Sequence, residues 1–416
     1  MRIVMGAQNC GFGPAAGLVA VSRLLAGHER IFVGDGVAAA FARRNADAFD
    51  AVRDTAGAGP AAIDELLRTS DRVVSVMDAA LALRAVVAGR PVVMVDSLLS
   101  FWQLTRPLAG IRALCASMPR SSFHAADRHL SSLSAHERVI AAHLLATHSV
   151  VQNFPGVGER AAELAGPGGT GPVVHVTGPI IDVDGLRGLP HTARSRAEPE
   201  YDLLVNIGGF KNFLLDFDVN NDYLRLLHRW TGDLLRDWPR FPRVLVCGGP
   251  FGEHREQDIS AAGRHATCRF LPQRALLRQV AGTPHYLLTP GLTALHEAVA
   301  LGRLPLALHE QHYAHVFTVR RLGGTLFGRT AGRFADVLPE QRIPEDDVAG
   351  TAALVEIAGR IREDDGLYAR FRRTFNERIE RYVSLTPAQR RAGVAELRDA
   401  LGGEPLSSAL AEAVVA

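Results

Sequence analysis

The sequence predicts an α/β protein: two domains built on parallel sheets, followed by a helical tail. Three observations lead there. The chain has 416 residues, more than one ordinary core holds, so two domains of roughly 150–200 residues are expected. Hydrophobic residues make up 47% and charged residues 22%, which is the composition of a globular protein and not of a disordered one. Short apolar runs alternate with longer amphipathic stretches, the pattern of successive βα units.

Taken in order, the first half offers strands at Arg2–Ala7, Arg30–Val33, Arg72–Met77, Pro91–Asp96, Ser149–Asn153 and Val173–Thr177. Helices are expected at Ala15–Ala26, Ala61–Arg68 and Ser134–Ala146. Most of the strands are apolar on both faces, as when helices cover a parallel sheet from both sides. From about Asp184 to Glu200 the chain is polar and aperiodic, rich in Gly, Arg and Pro, and reads as an interdomain linker. The pattern then restarts with strands Asp202–Ile207, Arg243–Cys247, Thr267–Leu271, His285–Thr289 and Leu304–Leu308. Between them lie helices Tyr223–Leu235, Arg274–Ala281 and Thr293–Leu301. From Val348 to Ala416 the pattern is helical and charged, and Pro387 divides it into at least two helices. The expected organisation is a Rossmann-like domain over residues 1–190, a second over 191–383, and a tail over 384–416.

Composition excludes several classes. A formal net charge of +2 gives a nucleic-acid partner no support. Of 46 Lys+Arg only Lys211 is lysine, and with so much Ala and Gly this reflects GC-rich coding, not arginine chemistry. Cys10, Cys115, Cys247 and Cys268 are widely spaced without a C-x-x-C pair, which fits a reducing cytoplasm better than a disulfide framework. The apolar N-terminal run soon meets Gly and Pro, too short for a signal peptide or a membrane span. A cytoplasmic protein with no membrane partner is expected.

The most informative segment runs from Thr289 to Gly302, Thr-Pro-Gly-Leu-Thr-Ala-Leu-His-Glu-Ala-Val-Ala-Leu-Gly. A strand ends, a glycine turn follows, and a helix begins near Thr293. Free N–H groups and a helix dipole then face one spot, where a diphosphate is the natural occupant. Glu297, one turn into the helix, can accept hydrogen bonds from a ribose diol. The plainer alternative is a turn and cap with a solvated glutamate. Then come Gly302, the strand, and His309-Glu310-Gln311-His312-Tyr313-Ala314-His315. The histidines are spaced by three, too spread round a helix for one metal, and the His-Glu-x-x-His pattern fails at Tyr313. No metal or other cofactor is expected.

This run resembles the donor-site signature of GT-B glycosyltransferases: glycine turn, helix with Glu, strand, then an acidic residue and Gln before an Ala-containing helix. The resemblance implies two facing Rossmann-like domains, with a UDP-sugar as co-substrate in the C-terminal one. It further implies that Gly291, Leu292 and Thr293 hold the diphosphate, Glu297 the ribose, and Glu310 and Gln311 the sugar hydroxyls. Relatives usually carry a second glycine where Leu292 stands. Two further glycine turns follow strands of this half, at Gly208-Gly209 and Gly248-Gly249, where the backbone can approach phosphates closely. Lys211 beside the first can neutralise phosphate or simply be solvated. Phe270-Leu271-Pro272-Gln273 falls where relatives read the uracil edge. Asp216-Phe217-Asp218 imitates a metal-binding Asp-x-Asp, but in the wrong context.

The N-terminal turn, Gln8-Asn9-Cys10-Gly11-Phe12-Gly13, makes a poor dinucleotide fingerprint because its third glycine, Gly17, is displaced. In the GT-B reading Gln8, Asn9, Gly11, Phe12 and Gly13 line an acceptor pocket. This opening, with Gly27-His28-Glu29-Arg30-Ile31-Phe32-Val33-Gly34, looks like cytosylglucuronic acid synthases of peptidyl-nucleoside antibiotic pathways. That resemblance implies inverting transfer of glucuronic acid from UDP-glucuronate to N1 of cytosine or a substituted cytosine. A base must then take the acceptor proton. Asp35, Asp78, Asp96 and His124 stand at or after strand ends, with capping or structural hydrogen bonding as the plainer role for each. Arg106, Arg274 and His312 are candidate partners of the sugar carboxylate. Two other readings stay open: a UDP-sugar epimerase on the same fold, and an NAD(P)-dependent oxidoreductase using the N-terminal loop. The oligomeric state, a homodimer included, also stays open.

Overall fold

A computed structural model describes residues 1–57, 59–166, 171–189, 199–209, 221–249 and 257–415. The chain divides into two compact units, one of residues 1–184 with 401–416 and one of residues 185–400. Among the described residues, no helix is long and apolar enough to cross a membrane.

The first unit is built on seven strands: β1 (Arg2–Ala7), β2 (Glu29–Gly34), β3 (Ala51–Asp54), β4 (Arg72–Val76), β5 (Val92–Asp96), β6 (His148–Gln152) and β7 (Val173–Thr177). Their order is β3-β2-β1-β4-β5-β6-β7, and every pairing is parallel. Strands such as Val92–Asp96 are buried along their whole length, as the apolar runs require. The helix Gly13–Leu24 lies beside β1, pinned by Arg23, which pairs with buried Asp182 and, at 3.0 Å, with Asp47. The helix Ala135–Leu145 begins at Ser134 in a full capping box with Glu137. The other Glu137 oxygen receives Thr105 N, Thr105 Oγ1 and Arg106 N, so one carboxylate also fixes the loop ahead of it.

The second unit carries β8 (Leu203–Gly209), β9 (Arg243–Gly249), β10 (Gln257–Ala261), β11 (Arg264–Arg269), β12 (His285–Leu288) and β13 (Leu306–Ala307). Their order is β10-β11-β9-β8-β12-β13, parallel throughout except for the antiparallel β10–β11 hairpin. Ala262 and Gly263 both have positive φ, 51° and 73°, as a two-residue hairpin turn demands. The sequence missed this hairpin because its polar, half-exposed strand lacks an apolar signal. It missed β3 for the same reason, four residues at the sheet edge with two exposed.

The tail holds four helices: Asp347–Glu363, Asp365–Val383, Pro387–Leu401 and Leu406–Val415. Pro387 opens the third, where its missing N–H costs nothing. The last packs on β6 and β7 of the first unit. The chain entering it is held by Thr177 Oγ1 to Glu404 O (2.9 Å) and Gly178 N to the same oxygen (2.6 Å).

Candidate functional site

In the second sheet the chain leaves β8 toward β9 and later returns to β8's other side as β12. The carboxyl ends of β8 and β12 therefore flank a topological switch point, the ordinary ligand crevice of an open α/β sheet. Three turns crowd it. Gly208 has φ +69°, and a side-chain carbon there would lie 2.9 Å from Thr289 Oγ1. Gly248, at φ +120°, is so close that such a carbon would collide with the Gly208 carbonyl oxygen. Only glycine fits either position. Gly249 follows at φ +138° and pairs with Gly209. Asn206 ties the ends together: its Oδ1 accepts from Gly208 N (3.0 Å), its Nδ2 donates to Tyr286 Oη (3.0 Å), and its carbonyl accepts from Thr289 N (2.8 Å). Lys211, Asp216 and Asp218 lie outside the described residues.

The helix Leu292–Ala300 starts directly after β12, with Gly291 as a cap that has no side chain. The first bond back to the cap comes from Leu295 N to Gly291 O (3.1 Å), so the amides of Leu292, Thr293 and Ala294 lie ahead of the helical ladder. Leu292 turns its side chain into the core while its amide stays in that first turn. A second glycine is therefore unnecessary for backbone access. The helix is apolar on nearly every face, which draws Glu297 inside it, 2% exposed.

Glu297 accepts a hydrogen bond from Gln273 Nε2, and Gln273 is itself buried. Burial pushes the Glu297 carboxyl up to about 8, with the Gln273 hydrogen bond opposing. Gln273 begins the helix Gln273–Gly282 directly after half-buried Phe270 and Leu271. It was not among the residues expected to bind, although it closes the Phe-Leu-Pro-Gln run. Its polar side chain on a buried helix start was the available signal. Arg274, the next residue, is exposed.

After β13, Glu310 is buried and its Oε2 accepts from Phe334 N (2.9 Å). Burial raises its carboxyl to about 7, with that amide pulling the other way. The three histidines separate. His309 is a core residue, its ring 4.6–5.1 Å from those of Phe334, Phe371 and Phe375, and burial lowers it to about 3. His312 and His315 instead pack against each other, ring centroids 3.8 Å apart and tilted by 35°. Burial takes His312 down to about 4, so its ring is neutral at neutral pH. Among the described residues, no group of three His, Cys, Asp or Glu side chains is placed to hold a metal.

In the first unit the switch point lies between β1 and β4. Gln8 N donates to Val76 O (2.9 Å) across it. Asn9 bridges two elements, accepting from Val37 N (2.8 Å) and donating to Asp35 Oδ1 (2.8 Å). Gly36, at φ +53°, leaves the room that Asn9 occupies. Gly11 has φ +66°, and Phe12, ahead of the helix that opens at Gly13, rests on Phe41 with centroids 5.5 Å apart. Met77 has φ +58°, a left-handed conformation that costs a non-glycine residue about 1 kcal/mol or more. It turns the chain into Asp78, whose Oδ1 caps the next helix through Ala80 N and Leu81 N, both 3.0 Å. Burial raises the Asp78 carboxyl, and nearby Asp35 adds to the rise.

The four candidate bases thus part company. Asp35 and Asp78 share the switch point. Asp96 is corrected to a structural role: its side chain is 0% exposed, and it accepts from Leu98 N (2.6 Å), Trp102 Nε1 (2.5 Å) and His143 Nε2 (3.0 Å). His143 continues this chain to Ser149 Oγ (2.9 Å). His124 is exposed on the short helix Phe123–His129. Arg106, half-buried, reaches Ser132 Oγ at 3.4 Å.

No family model and no curated protein matches this sequence. Among solved structures, the spinosyn rhamnosyltransferase SpnG complexed with thymidine diphosphate aligns over 100% of both chains at 12% identity, with a TM-score of 0.51. The glycosyltransferase SnogD from Streptomyces nogalater aligns over 100% of this chain and 99% of its own at 16% identity and a TM-score of 0.45. The glycosyltransferase of kitacinnamycin aligns over 100% and 97% at 14% identity and 0.46. The first of these likenesses shows the fold. It is GT-B: two Rossmann-like units on parallel sheets with a C-terminal helical tail.

Proposed function

We propose that this chain is a glycosyltransferase that moves a sugar from a nucleoside-diphosphate donor to a small acceptor, inverting the anomeric carbon and needing no metal. One observation carries it. The open helix start at Gly291–Ala294 and the buried Glu297–Gln273 pair sit on one switch point beside glycine turns that admit no side chain. The helix start suits a diphosphate and the pair suits a ribose diol. The thymidine diphosphate bound to SpnG supports the same ligand class.

In the reaction the bond between the anomeric carbon and the diphosphate oxygen breaks. The charge that develops on that oxygen is met by the amides of Leu292, Thr293 and Ala294, already oriented. The acceptor attacks from the opposite face and yields its proton to a carboxylate. Asp78 is the base we favour: burial and the neighbouring Asp35 make it a stronger base than a solvated carboxylate. Asp35 and Asn9 would then orient the acceptor. Glu310 and Gln311 would hold sugar hydroxyls.

The finer proposal is glucuronic acid from UDP-glucuronate to N1 of cytosine or a substituted cytosine, in nucleoside antibiotic biosynthesis. It is supported by the resemblance of the Met5–Pro14 and Gly27–Gly34 runs to cytosylglucuronic acid synthases. Arg274 and Arg106 are the candidate partners of the glucuronate carboxylate.

A thermal-shift panel of nucleotides and nucleotide sugars, followed by turnover assays, tests both levels. Stabilisation by UDP or TDP, above that by the nucleosides, is expected. Transfer to cytosine from UDP-glucuronate, undiminished in EDTA, is the expected reaction. Acceptor-independent epimerisation of the UDP-sugar, or tight binding of NAD(P) alone, would assign the chain to another class.

A further inference from the structure

His315 stands beside the glycine turn of the second unit. A side-chain carbon placed on Gly291 would have only two heavy atoms within 4 Å beyond its immediate neighbours: His315 Nε2 at 3.8 Å and Thr289 O at 3.9 Å. Among the described residues, the imidazole nitrogen is the side-chain atom that borders this side of the helix start. The residue is 6% exposed, held on the helix Tyr313–Arg321 with the His312 ring packed against its own.

The ring's tautomer follows from its neighbours. Gln311 N donates to His315 Nδ1 at 3.3 Å. Nδ1 is thereby an acceptor, and a neutral imidazole then carries its proton on Nε2. Burial, reinforced by His312, holds the ring's pKa well below its usual value, so the neutral form persists at physiological pH. Nε2–H makes no hydrogen bond among the described residues, and the side-chain nitrogen of Gln311, four residues earlier, is buried and has no hydrogen-bond partner. A donor without a protein acceptor beside the glycine turn is free to take a ligand oxygen.

We propose that His315 donates its Nε2 proton in a hydrogen bond to the diphosphate, at the phosphate seated on the Gly291 turn, and so positions the leaving group. This rests on the nucleotide-sugar function proposed above. His315 adds a side-chain donor to the three backbone amides without adding charge. His312 packs the ring in place, and Gln311, through its backbone amide, sets the tautomer.

Calorimetric titration with uridine, UMP and UDP, and with thymidine, TMP and TDP, tests this on the wild type, His315→Ala and His315→Gln. The glutamine amide can put an N–H close to where Nε2 stood. His315→Ala is expected to weaken the preferred diphosphate about tenfold or more while leaving its nucleoside within about twofold. His315→Gln should recover most of the loss. Unchanged diphosphate affinity in His315→Ala overturns the proposal. So does an equal loss for nucleoside and diphosphate, which would mark His315 as a packing residue, or a glutamine variant no better than alanine. A folded wild type that binds neither diphosphate would instead remove the functional reading on which it rests.

Discussion

Replacing Glu297 with glutamine separates the cost of burying a carboxylate from everything else in the site. The carboxyl is 2% exposed, and burial raises its pKa from 4.5 to about 8. Below pH 4.5 the group is protonated in both the folded and the unfolded chain and has no effect on the pH dependence. Between 4.5 and about 8 the folded chain binds the extra proton, so stability falls as pH rises. Above that window the group is ionised in both states and the full penalty stands. At about 1.4 kcal/mol per pH unit, the loss accumulated by pH 7 is about 3 kcal/mol. Glutamine has the shape of the protonated acid and never ionises. Glu297→Gln should match the wild type near pH 4.5 and exceed it by about 3 kcal/mol at pH 7. Urea unfolding followed by tryptophan fluorescence at several pH values measures this, because Trp230 and Trp238 are buried in the same unit. Glu310 shifts in the same direction in both proteins and cancels in the difference. Parallel stability curves for the two proteins between pH 4.5 and 8 would refute the reasoning.

Three other outcomes are expected. Asp96→Ala removes an acceptor from Trp102 and His143 inside the core and should cost about 3 kcal/mol or more, read from denaturant midpoints; a surface-like change below about 0.5 kcal/mol would restore Asp96 as a candidate base. Asp78→Asn keeps an N-cap oxygen and removes a buried charge, so stability should not fall by more than about 0.5 kcal/mol while turnover falls about 100-fold; comparable turnover in the variant would exclude Asp78 as the base. In native protein Cys10 should be the thiol that reacts with a disulfide reagent. Burial lifts Cys115 to about 11 and Cys268 to about 12, and raises Cys247 as well, while Cys10 is only half-buried. Mass mapping that finds a buried cysteine labelled first would contradict this.

The sequence made the fold legible because parallel strands covered on both faces leave uninterrupted apolar runs. β1, β4, β5 and β6 fall within a residue or so of their expected positions. The half-exposed edge strand β7 was still found from its valines, whereas the shorter, more polar β3 and the exposed β10 were lost. The expected Leu304–Leu308 strand pairs only at Leu306 and Ala307, since buried apolar residues beyond the ladder carry the same signal. In the candidate site, the turn at Gly291 and the depth of Glu297 follow from local pattern. The Glu297–Gln273 contact does not, because 24 residues separate the partners and only the sheet brings them together. The same holds for the Asp35–Asn9 pair and for the division of the histidines between core and site. His309 and His315 have the same type and neighbouring positions, and what differs is which neighbours their helix and strand turn them toward.

The central claim is that the crevice at Gly291 and Glu297 binds a nucleoside diphosphate. The most direct measurement is calorimetric titration of UDP and TDP into the wild type and into Glu297→Ala. Saturable binding at one site per chain is predicted, weakened about tenfold or more in the variant. Absence of binding by the folded wild type, or equal affinity in both proteins, would contradict it.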